Sequence, residues 1–169
     1  MLHASDLSEV VRSRRSDMGL SQARLSALCG LSRATVNQIE QGTIKELGLS
    51  RAARLLGVLG LSLDVNPAGL RRGSKEGRRT SALQLAARSA SVSYRTPLTE
   101  AALREVILED VLRDEFEPHL NALLEDGSVA LLAAIAEELH QSQGVERAAV
   151  WAQLRLVARR LGSRRDLWE

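Results

Sequence analysis

Apolar positions recur three and four residues apart over most of the chain, and most of these runs are bracketed by residues suited to start or stop a helix. Leu7, Val10, Val11 and Met18 form the first stripe, with Asp6 and Glu9 placed as a capping box and Gly19 at the stop. In "LSQARLSALCGLSRATVNQIEQG", Leu20 to Gly42, the same device occurs twice. Ser21 can cap one helix with Leu20 and Leu25 as a hydrophobic staple, and Gly30 ends it. Ser32 can cap the next, with Leu31 and Val36 at the staple positions, so two helices follow each other across a short turn.

Leu49, Ala52, Ala53, Leu56 and Leu59 form a fourth stripe, stopped by Gly60. The period then changes: Leu61, Leu63 and Val65 alternate with Ser62, Asp64 and Asn66 ahead of Pro67, which predicts a short strand. A lone strand needs a partner for its ladder, and a second copy of the chain is the simplest source. Ala68 to Thr80, "AGLRRGSKEGRRT", carries three glycines and six charges, five of them positive, and reads as a linker. Helical patterns return at Ala82–Ala90, Thr99 to about Glu117 (cap Thr99, staple Leu98 and Leu103), Pro118–Glu125, Ser128 to about Gln141 and Glu146–Leu161. The last of these places Val150, Trp151, Leu154, Val157, Ala158 and Leu161 on one stripe. Between helices, "RSASVSYRTP" from Arg88 to Pro97 fits either a peptide-like ligand for a partner cleft or a structured turn.

Composition adds an asymmetry. The chain has 169 residues, 44% hydrophobic and 26% charged, enough for one core or two small ones. Its net charge of +2 conceals a basic first half and an acidic second: residues 1 to 80 hold 13 Lys+Arg against 7 Asp+Glu, and residues 81 to 169 hold 10 against 14. A basic half favours polyanions, and an acidic half is repelled by the same phosphates. Four aromatics, Tyr94, Phe116, Trp151 and Trp168, leave few rings for stacking on single-stranded nucleic acid. Cys29 is the only cysteine and reads as a small buried hydrophobe in a reducing compartment. No apolar run approaches about 18 residues and the first ten residues lack a signal-peptide pattern, so the expected location is cytoplasmic.

The third helix carries the candidate chemistry. Val36 and Ile39 share one side with Thr35 at its border, and the opposite side collects Ala34, Asn37, Gln38 and Gln41 with Arg33 at the edge. A merely solvated face usually carries Lys and Glu. Short amides instead suit base edges: Asn and Gln pair with adenine, Arg with guanine, and a methyl of Ala34 or Thr35 meets that of thymine.

Through Gln22, Leu25, Gly30, Ser32, Val36, Ile39, Glu40 and Gly42 the segment resembles the Xre class of helix-turn-helix proteins, that of phage Cro and repressor. The resemblance spans about residues 5 to 66 and implies a lambda-repressor-like fold whose second motif helix lies in the major groove. By position it implies Arg33, Ala34, Thr35, Asn37 and Gln38 as base contacts, and Ser21, Gln22, Gln41 and Thr43 as phosphate contacts. Two positions depart from the family pattern. Ser26 stands where Ala is usual and fits if its hydroxyl bonds back to a carbonyl; Leu28 replaces a charged residue, which implies extra burial or a contact with the second domain. The run "IKELGLSRAARLLGVLGLSLDVNP" further resembles the end of HipB-like antitoxin repressors, in which a strand pairs across a dimer. A dimer implies a roughly palindromic operator with half-sites one helical turn apart.

The chain is therefore expected to be all-α. Residues 1–67 form a helix-turn-helix domain ending in a short strand (Leu61, Leu63, Val65), 68–80 a basic linker, and 81–169 a helical partner or dimerisation domain. The linker residues Arg71, Arg72, Lys75, Arg78 and Arg79 form a possible DNA arm, with a solvated linker as the plain alternative. Between Glu100 and Asp126 nine acids face two arginines, which fits a basic partner. The adjacent pairs Glu109–Asp110 and Glu137–Glu138 read as solvated acids and not as catalysts. His119 and His140 have no companions at ligand spacing, so neither an enzyme, a cofactor nor a metal is expected. The expected function is a dimeric, sequence-specific repressor on double-stranded DNA, in the setting of an antitoxin that represses its own operon and binds a toxin. The alternatives are a regulator whose second domain senses a small molecule and an adaptor without specific DNA binding.

Overall fold

Three serine caps act as their positions promise. Ser21, Ser32 and Ser128 sit in extended backbone, and each hydroxyl accepts from the amide three residues on, at Arg24, Thr35 and Leu131. Thr99 does the same for Ala102. Each satisfies one of the amides that a helix start leaves without an intrahelical partner. The computed structural model describes residues 4–63, 81–92 and 94–169, and among these every regular element is helical. They are α1 (Ala4–Asp17), α2 (Gln22–Cys29), α3 (Arg33–Glu40), α4 (Leu49–Val58), α5 (Ala82–Ala90), α6 (Glu100–Glu109), α7 (Glu117–Asp126), α8 (Val129–Gln143) and α9 (Arg147–Arg160). Short 3-10 turns at Asp114–Phe116 and Asp166–Trp168 complete the fold.

α1, α2 and α3 pack together through Val11, Met18, Leu20, Leu25, Cys29, Val36 and Ile39, all buried. Ser26 bonds back to the Ala23 carbonyl at 2.8 Å, as its position requires, and Leu28 is half-buried against the core. Cys29 is 1% exposed and its Sγ lies 2.9 Å from the Leu25 carbonyl; burial raises its thiol above the ordinary range. In α4 Leu55 and Leu56 are buried, as is Leu59 just past its end, whereas Leu49 is 69% exposed.

The same core continues through α5 to α9, with Trp151, Leu154 and Ile135 at its centre. Contact between the first four helices and the last five is specific. Arg155 of α9 donates to the Met18 carbonyl, and Arg24 of α2 donates to the Asp166 carbonyl and to Glu169 at 3.0 Å. Gly60 lies against α8: a Cβ there would stand 2.9 Å from the Val129 carbonyl oxygen, in a backbone with φ +69° that disfavours side chains anyway. Among the described residues no single helix is long and apolar enough to cross a membrane.

Two expectations are corrected. Leu61 and Leu63 are irregular, not strand, since the described residues of one chain offer this segment no second strand to close the ladder. Val65 lies outside the described residues, as do the basic arm Arg71, Arg72, Lys75, Arg78 and Arg79 and the expected linker. The helix expected from Thr99 to Glu117 stops at Glu109, because Asp110 adopts a left-handed conformation (φ 57°) and its carboxylate accepts from Gln153 at 2.7 Å. "RSASVSYRTP" is a structured turn: the Ser91 hydroxyl donates to the Ala87 carbonyl and accepts from the Leu98 amide, while the Tyr94 hydroxyl donates to the Pro118 carbonyl.

Candidate nucleic-acid interface

The surface of α3 divides as its sequence predicts. Val36 and Ile39 are buried; Arg33, Ala34, Gln38 and Gln41 are exposed, and Thr35 and Asn37 are half-buried at the border. Ser21 and Thr43 are exposed at the two ends of the motif and Gln22 is half-buried beside Asn37. Of the expected base and phosphate contacts, Gln22, Asn37 and Gln41 line one depression between the start of α2 and the outer side of α3, and Thr43 lies against Gln38 in the turn after it. The hydroxyls here are already engaged, that of Ser21 by the Arg24 amide. Ser32 and Thr35 hydrogen bond to each other at 2.8 Å, and the Thr43 hydroxyl leans on the Gln38 carbonyl at 3.4 Å.

Behind this face lies a buried polar network. The Arg15 guanidinium grips Glu40 with a fork, Nε to Oε1 at 2.5 Å and Nη2 to Oε2 at 3.1 Å, and its Nη1 donates to the Leu20 carbonyl at 2.7 Å. Gln22 Nε2 donates to Glu40 Oε2 at 2.9 Å and to Asn37 Oδ1 at 3.3 Å. The Glu40 side chain is 4% exposed and that of Arg15 16%. Burial alone would push the Glu40 carboxyl up; the hydrogen bonds from Arg15 and Gln22 outweigh it and hold the group below the ordinary carboxylate range. An open depression of about 190 Å³ leads down to the network, lined by Arg12, Arg15, Gln22, Asn37, Glu40 and Gln41.

Arg15 and Glu40 are the residues that reading by element missed. Arg15 follows Val11 by four positions and Glu40 follows Val36 by four, so each charge falls on a core-facing stripe. Opposite charges at two such positions are the available signal, because a buried charge needs a partner.

In the second half the acids Glu137 and Glu138 and both histidines are engaged in hydrogen bonds, while the buried His119 Nδ1 has no partner among the described residues. Glu137 takes two hydrogen bonds from Arg147 (2.6 and 2.9 Å) and one from Gln141 at 2.7 Å; Arg147 above all holds its carboxyl down to about 2. Glu138 spans the start of α5, accepting from the Ser81 hydroxyl at 2.7 Å and from the Ala82 amide. His119 Nε2 donates to the Thr96 carbonyl at 2.7 Å and its ring lies against Tyr94, and His140 Nδ1 donates to the Val145 carbonyl at 2.9 Å. Among the described residues no group of His, Cys, Asp and Glu is placed to hold a metal ion.

Residues 11–66, about a third of the chain, match the helix-turn-helix family model. This segment is a helix-turn-helix domain of the Cro/C1 type, the domain of DNA-binding transcription regulators, and agrees with an Xre-family protein. No curated protein and no solved structure matches the chain.

Proposed function

With a Cro/C1-type domain as premise, we propose that the chain is a sequence-specific repressor that reads double-stranded DNA with the outer face of α3. The observation that carries this reading is the composition of that face: Ala34, Gln38 and Gln41 are exposed, Asn37 borders them, and the only charge among them is Arg33. Amides and a guanidinium match base edges, whereas a solvated face has no need of them. In this reading Arg33, Ala34, Thr35, Asn37 and Gln38 contact bases. Ser21, Gln41, Thr43 and the backbone amide of Gln22 hold phosphates, α2 presenting its N-terminus.

The chain acts as a homodimer on a palindromic operator, a reading supported by the exposed apolar side chains of Leu49 and Leu63 at the two ends of the α4 region. Helices α5 to α9 form a partner-binding region, and the setting is an antitoxin that represses its own operon and binds a toxin. The acidic segment from Glu100 to Asp126 favours a toxin with a basic docking face.

The test is a fluorescence-anisotropy titration, at one fixed salt concentration, against duplex from the gene's own upstream region and a scrambled duplex. Tight binding to the upstream duplex alone supports the repressor. Equal weak binding to both argues for an adaptor. Co-purification of an adjacent gene's product that is toxic when expressed alone tests the antitoxin setting; a solitary gene sinks it.

A further inference from the structure

We infer that the Gln22 side chain acts on DNA through Asn37 and not through the phosphate backbone: with Glu40 it fixes which end of the Asn37 amide the α3 face presents. The inference rests on the DNA-reading proposal above and specifies how one of its contacts discriminates.

A primary amide has two hydrogens to donate. Both of those on Gln22 are spent inside the protein, one on Glu40 Oε2 at 2.9 Å and one on Asn37 Oδ1 at 3.3 Å. What Gln22 keeps is its carbonyl oxygen, which repels a phosphate oxygen. The direction of the chain is set at its buried end. Glu40 is ionised, held there by the Arg15 fork, and an ionised carboxylate only accepts. Turning the Gln22 amide over would set its oxygen against that carboxylate, so its nitrogen must face inward. That nitrogen donates to Asn37, and turning Asn37 over would set nitrogen against nitrogen. The Asn37 oxygen is thereby directed to Gln22 and its Nδ2 group keeps its hydrogens for whatever enters the depression beside α3.

An Asn side chain on a helix surface otherwise turns over readily and meets a base donor or acceptor equally well. Held as it is here, Asn37 prefers a base with a major-groove acceptor (adenine, guanine or thymine) and disfavours cytosine, whose edge offers a donor. Gln22 and Glu40 are positioning residues in this scheme, and their mark is a base preference at one place in each half-site.

The experiment is selection of bound duplexes from a random-sequence pool by the full-length chain at one salt concentration, followed by titration of single-position variants of the selected duplex. Wild type is expected to disfavour cytosine at one position by about threefold to tenfold, the worth of one hydrogen bond. Gln22→Met and Asn37→Ala are each expected to abolish that discrimination, the double variant losing no more than either. Asn37→Asp, which turns the free end into an acceptor, is expected to reverse the preference toward cytosine. A uniform loss of affinity over all sequences in Gln22→Met, with cytosine still disfavoured, would overturn the inference and make Gln22 a phosphate contact while leaving the DNA reading intact. Failure of wild type to enrich any sequence would overturn the DNA reading and this inference with it.

Discussion

Two acidic side chains, Glu40 and Glu137, are each gripped by an arginine and an amide, yet they belong to surfaces of opposite kind. At Glu137 the donors from Arg147 and Gln141 converge on one carboxylate at the surface. At Glu40 the carboxylate is buried and the network runs outward through Gln22 to Asn37, which keeps its amide hydrogens at the α3 face. The residue types are nearly the same. What separates a structural tie from a candidate site is whether the last member of the chain has hydrogen-bonding capacity left where a ligand can reach it.

The largest difference between the two is expected in stability. Glu40→Ala leaves Arg15 buried without its partner and should cost about 3 to 5 kcal/mol in urea denaturation. Glu137→Ala removes a pair whose side chains are 34% and 31% exposed, and should cost at most about 1 kcal/mol. Equal costs would erase the distinction. Next in size, Gly60→Ala should cost about 1 to 3 kcal/mol, since it adds strain at positive φ where α4 runs up to α8. An unchanged denaturation midpoint would show that this contact between the two halves gives way. Gln38→Ala should remove about 1 to 3 kcal/mol of discrimination between duplexes, and Asn37→Ala the threefold to tenfold preference given above, while both leave the denaturation midpoint in place. Substitutions at Glu137 should leave DNA binding unchanged.

Acid sharpens the comparison further. Both carboxyls sit below their ordinary value of 4.5 in the folded chain, so both stabilise fully above that value and lose their contribution as pH falls below it, Glu137 as pH falls toward about 2. Urea titrations at pH 6 and pH 3 should show wild type losing stability on acidification, and Glu137→Gln losing less of it. An identical loss in the variant would detach Glu137 from the acid response.

How much of this was legible depends on how far apart the partners stand. Caps, staples and turn glycines are signals within four residues, and Ser21, Gly30, Ser32, Thr99 and Ser128 all do what their neighbours in sequence imply. The polar composition of α3 was equally local, so its outer face could be drawn before the fold was known. The strand at Leu61 and Leu63 failed because alternation states a preference that only a second strand can satisfy. The break at Asp110 depends on Gln153, 43 residues away, and the Arg15–Glu40 pair is 25 apart. Arg155 at Met18 spans 137 positions, and no periodicity predicts that meeting.

The central claim, that the outer face of α3 lies in a major groove, is tested most directly by dimethyl sulfate footprinting on a bound duplex. The reagent methylates guanine N7 in the major groove and adenine N3 in the minor groove. The account predicts protection of guanine N7 within the bound site, and its loss at the guanine read by Arg33 when that residue is replaced by alanine. Protection confined to adenine N3, or a guanine pattern indifferent to Arg33→Ala, would contradict it.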